Sequence, residues 1–277
     1  MMNMNKFFFV TLIICLTINP LLAENQTLKD IQLLAEQGNS NAQFRLGNIY
    51  LQGKETEKNP IKALDWYTKA ADQGHSTAQF ALGVLYDFGE YADSIKQDSV
   101  KAIKWYTKAA DQGLVNAQLN LAYGYYTGQG TQQNFVKAFE WYNKAANQNS
   151  ITAQLYLAKM YRDGEGVKQD YSKAFEWNSK ASAQGDPTAS YNLGIMYRDG
   201  EGVAQNYKNA FDAFNKAANQ NHSSALYNLG VMHSKGLGIP QNSTKALEAF
   251  SKAADLGLPE AKEILNKVKN TNTLLYF

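Results

Sequence analysis

The chain has little of several residues that carry chemistry. Of its 277 residues, five are proline, three are histidine and one is cysteine. Five prolines are too few for a Pro-rich linker protein. The cysteine, Cys15, lies inside an apolar run near the N-terminus. The remainder therefore forms no disulfide, and cysteine nucleophiles and cysteine-ligated metals are excluded from it. Charge is also scarce and balanced, at 19% of residues, with 27 Lys and Arg against 25 Asp and Glu. Holding a phosphate backbone needs a strong basic excess, so nucleic acid is not an expected partner. A 44% hydrophobic content supplies a sizeable core and excludes wholesale disorder.

Catalytic signatures are missing too. There is no Gly-x-Ser-x-Gly, no His-Glu-x-x-His and no Ser-x-x-Lys. His75 and His222 occupy equivalent turn positions, and His233 stands where the chain's repeating pattern has Tyr. All three read as structural. Asp163-Gly164-Glu165 and Asp199-Gly200-Glu201 lack the further oxygen ligands of a calcium loop. The expectation is no catalytic residue, no metal and no cofactor.

Residues 1–23 differ from the rest. Lys6 is the only charge before Glu24, an apolar run covers Phe7 to Ile18, and Leu21-Leu22-Ala23 follows Pro20. This is the pattern of a secretory signal peptide cut after Ala23. The run is short for a membrane span of roughly 20 residues, so no span is expected after cleavage. A lipoprotein reading fails because Cys15 follows Ile14 within the run.

The strongest signal is a repeat. Ala, three residues, Leu, Gly or Ala, two residues and Tyr recur from Ala42, Ala78, Ala117, Ala153, Ala189 and Ala225, with a degenerate copy at Ala261. The spacing is 36 residues, apart from one of 39 caused by three extra residues between Gly89 and Gln97. A second pattern, Lys-Ala, an aromatic pair and Lys-Ala-Ala, interleaves with the first, as in Lys62-Ala63 to Ala70-Ala71. From the third unit a Gly-x-Gly loop lies between the two, at Gly128/Gly130, Gly164/Gly166, Gly200/Gly202 and Gly236/Gly238. Such a period marks a repeat architecture. Ala42, Leu46, Gly47 and Tyr50 share one helical face, as do Ala63, Tyr67, Ala70 and Ala71, so each unit predicts two antiparallel helices. Acidic residues four before a lysine, as at Asp65/Lys69 and Asp212/Lys216, support the second helix of each unit.

These motifs resemble those of the Sel-one-like repeat family, relatives of the tetratricopeptide repeats. The family's Gly-x-Gly-Val appears with Val167 and Val203. Its tryptophan appears as Trp66, Trp105, Trp141 and Trp177, and is replaced by Ala213 and Ala249. The resemblance covers roughly residues 28–268. It implies an all-α, right-handed α-solenoid: a capping helix over 24–39, six helix pairs over 40–258, and a capping helix with a tail over 259–277. It also implies a monomeric binding scaffold with a concave groove.

On the first helix, positions two, six and nine after the leading Ala point away from the anchor face. The first of these series, Phe44, Phe80, Leu119, Leu155, Tyr191 and Tyr227, is apolar throughout. It either packs against the next unit or lines the groove. On the groove reading, Tyr123, Tyr126, Lys159, Arg162, Tyr191, Arg198 and Tyr227 form an aromatic and cationic stretch, rich in the types found at binding hot spots. Arginine grips carboxylates at two points, so the expected partner is a protein or peptide with an acidic or C-terminal carboxylate. The resulting expectation is an exported, non-enzymatic scaffold, bacterial and periplasmic or secreted, serving envelope assembly, host interaction or toxin immunity. The alternative implied by the resemblance is a protein that hydrolyses β-lactams or binds cell-wall fragments. The disulfide in each unit of the family members linked to β-lactams is absent here.

Overall fold

The computed structural model describes residues 27–89 and 95–271. The expected signal peptide over 1–23, residues 90–94 of the loop that holds the insertion, and the tail over 272–277 lie outside the described residues. Fourteen helices and no strand are found among the described residues. They are α1 (Leu28–Glu36), α2 (Ser40–Gln52), α3 (Pro60–Asp72), α4 (Ser76–Phe88), α5 (Ser99–Asp111), α6 (Val115–Thr127), α7 (Phe135–Asn147), α8 (Ile151–Asp163), α9 (Tyr171–Ala183), α10 (Pro187–Asp199), α11 (Tyr207–Ala218), α12 (Ser223–Lys235), α13 (Ser243–Asp255) and α14 (Pro259–Thr271). The chain divides into two compact units, Met1–Trp141 and Tyr142–Phe277. In the first, α1 to α6 each pack on the next; in the second, α8 to α14 do the same. The fold is an all-α solenoid of helix pairs. No helix of the described residues is long and apolar enough to cross a membrane.

Local chemistry sets the helix ends. Every second helix of a pair opens on Asn or Asp: Asn59, Asp98, Asn134, Asp170, Asn206 and Asn242. Each side-chain oxygen accepts from the backbone N–H three residues on, at 2.9–3.0 Å. Each such cap stabilises its helix by about 1 kcal/mol. The first helices end on glycine in the left-handed region, as at Gly164 (φ 72°) and Gly200 (φ 74°). The second glycine of the loop has another task. Gly202 lies against the carbonyl of Tyr171 at the start of α9, one repeat earlier, where a Cβ would collide with backbone.

The alanines bring helix axes together and the aromatic rings fill what remains. Tyr67, Tyr106, Tyr142, Phe214 and Phe250 are all buried, none more than 2% exposed. A ring so buried contributes about 1.5–3 kcal/mol. Phe44 and Phe80 tilt onto Tyr67 and Tyr106 at 5.6 and 5.7 Å. Thus Phe44 and Phe80 of the first apolar series pack. Leu119 of the same series is buried, and so are Leu51, Val84 and Ser234 at the other supposedly outward positions. The reason is geometric: a first helix is packed on both sides, against its own partner and against neighbouring repeats.

A buried glutamine ties repeats together. Gln43 and Gln79 donate to the Ala35 and Ala71 carbonyls at 3.0 Å, and accept from Gln73 and Gln112 at 2.7 Å. Gln154 repeats the motif, accepting from Gln184 at 2.8 Å. In the fifth repeat Ser190 replaces the glutamine and bonds Ser182 at 2.8 Å. Lys216 donates to the Ser182 carbonyl and hydroxyl there. The expected Asp212/Lys216 pair therefore gives way, and Asp212 pairs with Lys208 at 3.3 Å.

Candidate functional site

The candidate site residues fall into both compact units. In the first, Tyr123 on α6 is 41% exposed and lines a small pocket of about 40 Å³ with Asp87, Tyr106 and Gln129. Gln129 donates to Asp87 at 2.8 Å. Burial, and then the Asp87 charge, hold the Tyr106 hydroxyl well above its ordinary range. Tyr126 packs edge-on against Phe135 at 5.3 Å.

In the second unit Lys159, Arg162 and Tyr191 line one pocket of about 260 Å³. Arg198 and Tyr227 line another of about 420 Å³, with Glu260, Glu263 and Lys267 on its far wall. The tyrosines are half-buried. Tyr191 stacks on His222 at 4.6 Å and tilts onto Phe214 at 5.8 Å. Tyr227 meets Phe250 edge-on at 5.6 Å. Each ring therefore offers one edge to a pocket while its body packs.

The cations are held by the chain's own carboxylates. Arg162 grips Asp163 at two points, 2.8 and 3.3 Å. Arg198 grips Asp199 at 2.7 Å twice and also reaches Asn228 at 2.9 Å. Lys159 bridges Asp163 at 3.0 Å and Glu165 at 2.7 Å. These hydrogen bonds raise both guanidinium pKa values and lower those of Asp163 and Asp199. The two-point carboxylate grip expected from sequence is thus made within each Arg-Asp dipeptide.

The aromatic filler of the repeat is interrupted at one place, which the sequence reading passed over. Where the other repeats carry Tyr67, Tyr106, Tyr142, Phe214 and Phe250, the fourth carries Asn178. Asn178 is buried, donates to the Ala174 carbonyl at 3.0 Å, and accepts from Asn192 at 3.0 Å. It forms the back of the 260 Å³ pocket, between α8 and α10. The signal was available: Trp66-Tyr67, Trp105-Tyr106 and Trp141-Tyr142 are followed by Trp177-Asn178.

The histidines cap and pack. His75 Nδ1 accepts from the Ala78 N–H at 3.1 Å, and its ring stacks on Phe44 at 4.9 Å. His222 does the same for Ala225 at 3.3 Å beneath Tyr191. His233 meets Phe211 edge-on at 5.4 Å. Burial lowers all three pKa values.

The geometry is that of a tetratricopeptide-like helical-repeat protein. Six consecutive Sel1 repeats match residues 40–75, 76–114, 115–150, 151–186, 187–222 and 223–258. The chain belongs to the Sel1 repeat family. Among solved structures it is similar to a protective antigen of uropathogenic Escherichia coli strains that displays an SLR fold, at 35% identity and a TM-score of 0.82, over 88% of this chain and 52% of that one. It thus spans about half the length of that relative. It is also similar to a Sel1 repeat protein from Oxalobacter formigenes, at 35% identity and a TM-score of 0.71, over 87% of this chain and 68% of that one. Comparison with curated proteins finds no match.

Proposed function

We propose that this chain is an exported, non-enzymatic scaffold that binds a protein or peptide along the side chains of α8, α10 and α12 of its second compact unit, in the periplasm or outside the cell. The observation that carries the reading is the pair of Arg-Asp forks at Arg162/Asp163 and Arg198/Asp199. They lie at the same position of successive repeats, each arginine at the edge of a pocket, and each fork is made within one helix, with Arg198 also reaching Asn228 on α12. A row of such pairs at the repeat period suits an extended segment. Tyr191 and Tyr227 supply rigid aromatic surface beside them. Export is supported by the signal-like pattern of residues 1–23 and by the bacterial relative that is a protective antigen. A binding role is what the Sel1 repeat favours over catalysis.

The test is affinity capture from envelope and secreted fractions, with wild type against an Arg162→Glu/Arg198→Glu variant of unchanged helicity. One dominant protein lost in the variant is the expected result. Equal capture by both would overturn these residues as the site.

A further inference from the structure

The fourth repeat departs from its neighbours at position 178, and Ala158 stands where four other repeats have the glycine that lies under the ring. With glycine at 158, a ring at position 178 would fill the wedge between α8 and α10, as Phe214 and Phe250 do in the repeats that follow. Asn178 instead leaves an opening of about 260 Å³ in which Leu155, Ile195 and Met196 supply apolar wall, and Asn178, Asn192 and Tyr191 supply polar atoms. Pockets for whole small molecules run to roughly 300–1,000 Å³, so this one suits a single side chain of a bound segment.

Charge decides which kind. Lys159 and Arg162 border the pocket, but both are already paired: Lys159 with Asp163 and Glu165, Arg162 with Asp163. Glu201 also lines the pocket; it makes no side-chain hydrogen bond or close ion pair among the described residues, and its charge acts on Arg162 and Arg198. Arg198 is itself gripped by Asp199. Around the opening Lys159, Arg162 and Arg198 thus stand against Asp163, Glu165, Asp199 and Glu201, one carboxylate in excess. An anionic newcomer would have to displace Asp163 from a two-point grip, whereas a cation answers the carboxylate left over and has amide oxygens behind it.

We infer that the pocket backed by Asn178 takes a basic side chain, lysine or arginine, of the bound segment, its aliphatic stem against Leu155, Ile195 and Met196 and its charged end at Glu201. This rests on the peptide-binding reading above and gives the fourth repeat a specificity of its own. Long basic side chains pair apolar stems with polar ends in this way. The partner would thus present a basic residue, in contrast to the carboxylate that the arginines alone suggest.

The test is a titration of the isotope-labelled protein with N-acetylarginine amide, N-acetyllysine amide, N-acetylnorleucine amide and N-acetylglutamate amide, followed at the Asn178 and Asn192 side-chain amides by NMR. Both basic probes should give saturable shifts, binding about three- to fivefold more tightly than norleucine, the upper range for a solvent-accessible ion pair. Glu201→Gln should remove that preference while leaving norleucine unchanged. Ala158→Gly/Asn178→Tyr, which restores the glycine-and-ring pair of the neighbouring repeats, should abolish all shifts with the melting temperature kept or raised. Tighter binding by the glutamate probe, equal binding of lysine and norleucine, or no saturable shift from any probe would overturn the inference. Partner capture separates the two claims. A partner kept by Ala158→Gly/Asn178→Tyr but lost on reversal of Arg162 and Arg198, with silent probes, removes the pocket and leaves the scaffold. Basic probes that bind where no partner is captured remove the scaffold and leave the pocket.

Discussion

Phe214 lies against Gly194 so closely that a Cβ on residue 194 would stand 2.5 Å from two of its ring carbons. Gly47 with Tyr67, Gly83 with Tyr106 and Gly230 with Phe250 repeat the relationship at 2.5–2.6 Å. Tyr142, whose repeat carries Ala122 instead of glycine, lies flat on Tyr156, with centroids 4.5 Å apart and planes at 5°. The fourth repeat combines Ala158 with Asn178 and has no ring to accommodate.

Gly194→Ala should therefore destabilise by about 1–3 kcal/mol, the usual cost of overpacking a filled core. Phe214→Ala should cost about 3–5 kcal/mol through the cavity it leaves. Chemical denaturation followed by far-UV circular dichroism measures both. A Gly194→Ala midpoint equal to wild type would show that the ring can shift freely.

Gln79→Leu should cost about 0.5–1.5 kcal/mol, because the Ala71 carbonyl keeps the Gly74 N–H at 3.0 Å but loses the Gln79 donor, and the Gln112 amide loses its acceptor. Leu256, exposed and standing where earlier repeats carry Gln73 and Gln112, has no amide to bond, so a change there should move the midpoint far less. The comparison tests whether the glutamine ladder holds neighbouring repeats together.

The histidine caps predict a pH dependence. His75 and His222 have pKa values lowered from their ordinary 6.5, first by burial. His233 is lowered by burial and by Lys245. Their neutral forms are the folded forms, and the unfolded chain binds more protons below pH 6.5. Stability is thus full above that pH and falls as pH drops below it towards the depressed values. Asparagine caps α2 at Asn39 in the equivalent position, so His75→Asn/His222→Asn should keep the caps and flatten the dependence. Melting temperatures across this range should show a smaller acid loss in the double variant; an equal loss in both would assign the effect elsewhere.

The helix pairs were legible because Ala, Leu, Gly and Tyr recur at a fixed spacing that only packing between repeats explains. The outward rows were less so. Phe80, Val84 and Leu119 fall on the predicted outer face yet are buried, since a helix packed on two sides has no single anchor face. Tyr191 and Tyr227 sit between these cases, packed through the ring and open at an edge. Arg162 and Arg198 were found from their register, but their partners are the very next residues, a local pairing that helical-face reasoning ignores. Asn178 was the clearest omission. A period highlights what repeats, and the pocket exists because one position does not.

Ala158→Gly/Asn178→Tyr tests the central claim, that the solenoid binds a segment at the interruption of its own repeat. Binding sites commonly give up stability for function. The account predicts that the variant unfolds at the same or a higher denaturant concentration than wild type and captures the partner at least several-fold more weakly. A stable variant that captures the partner as wild type does would contradict it.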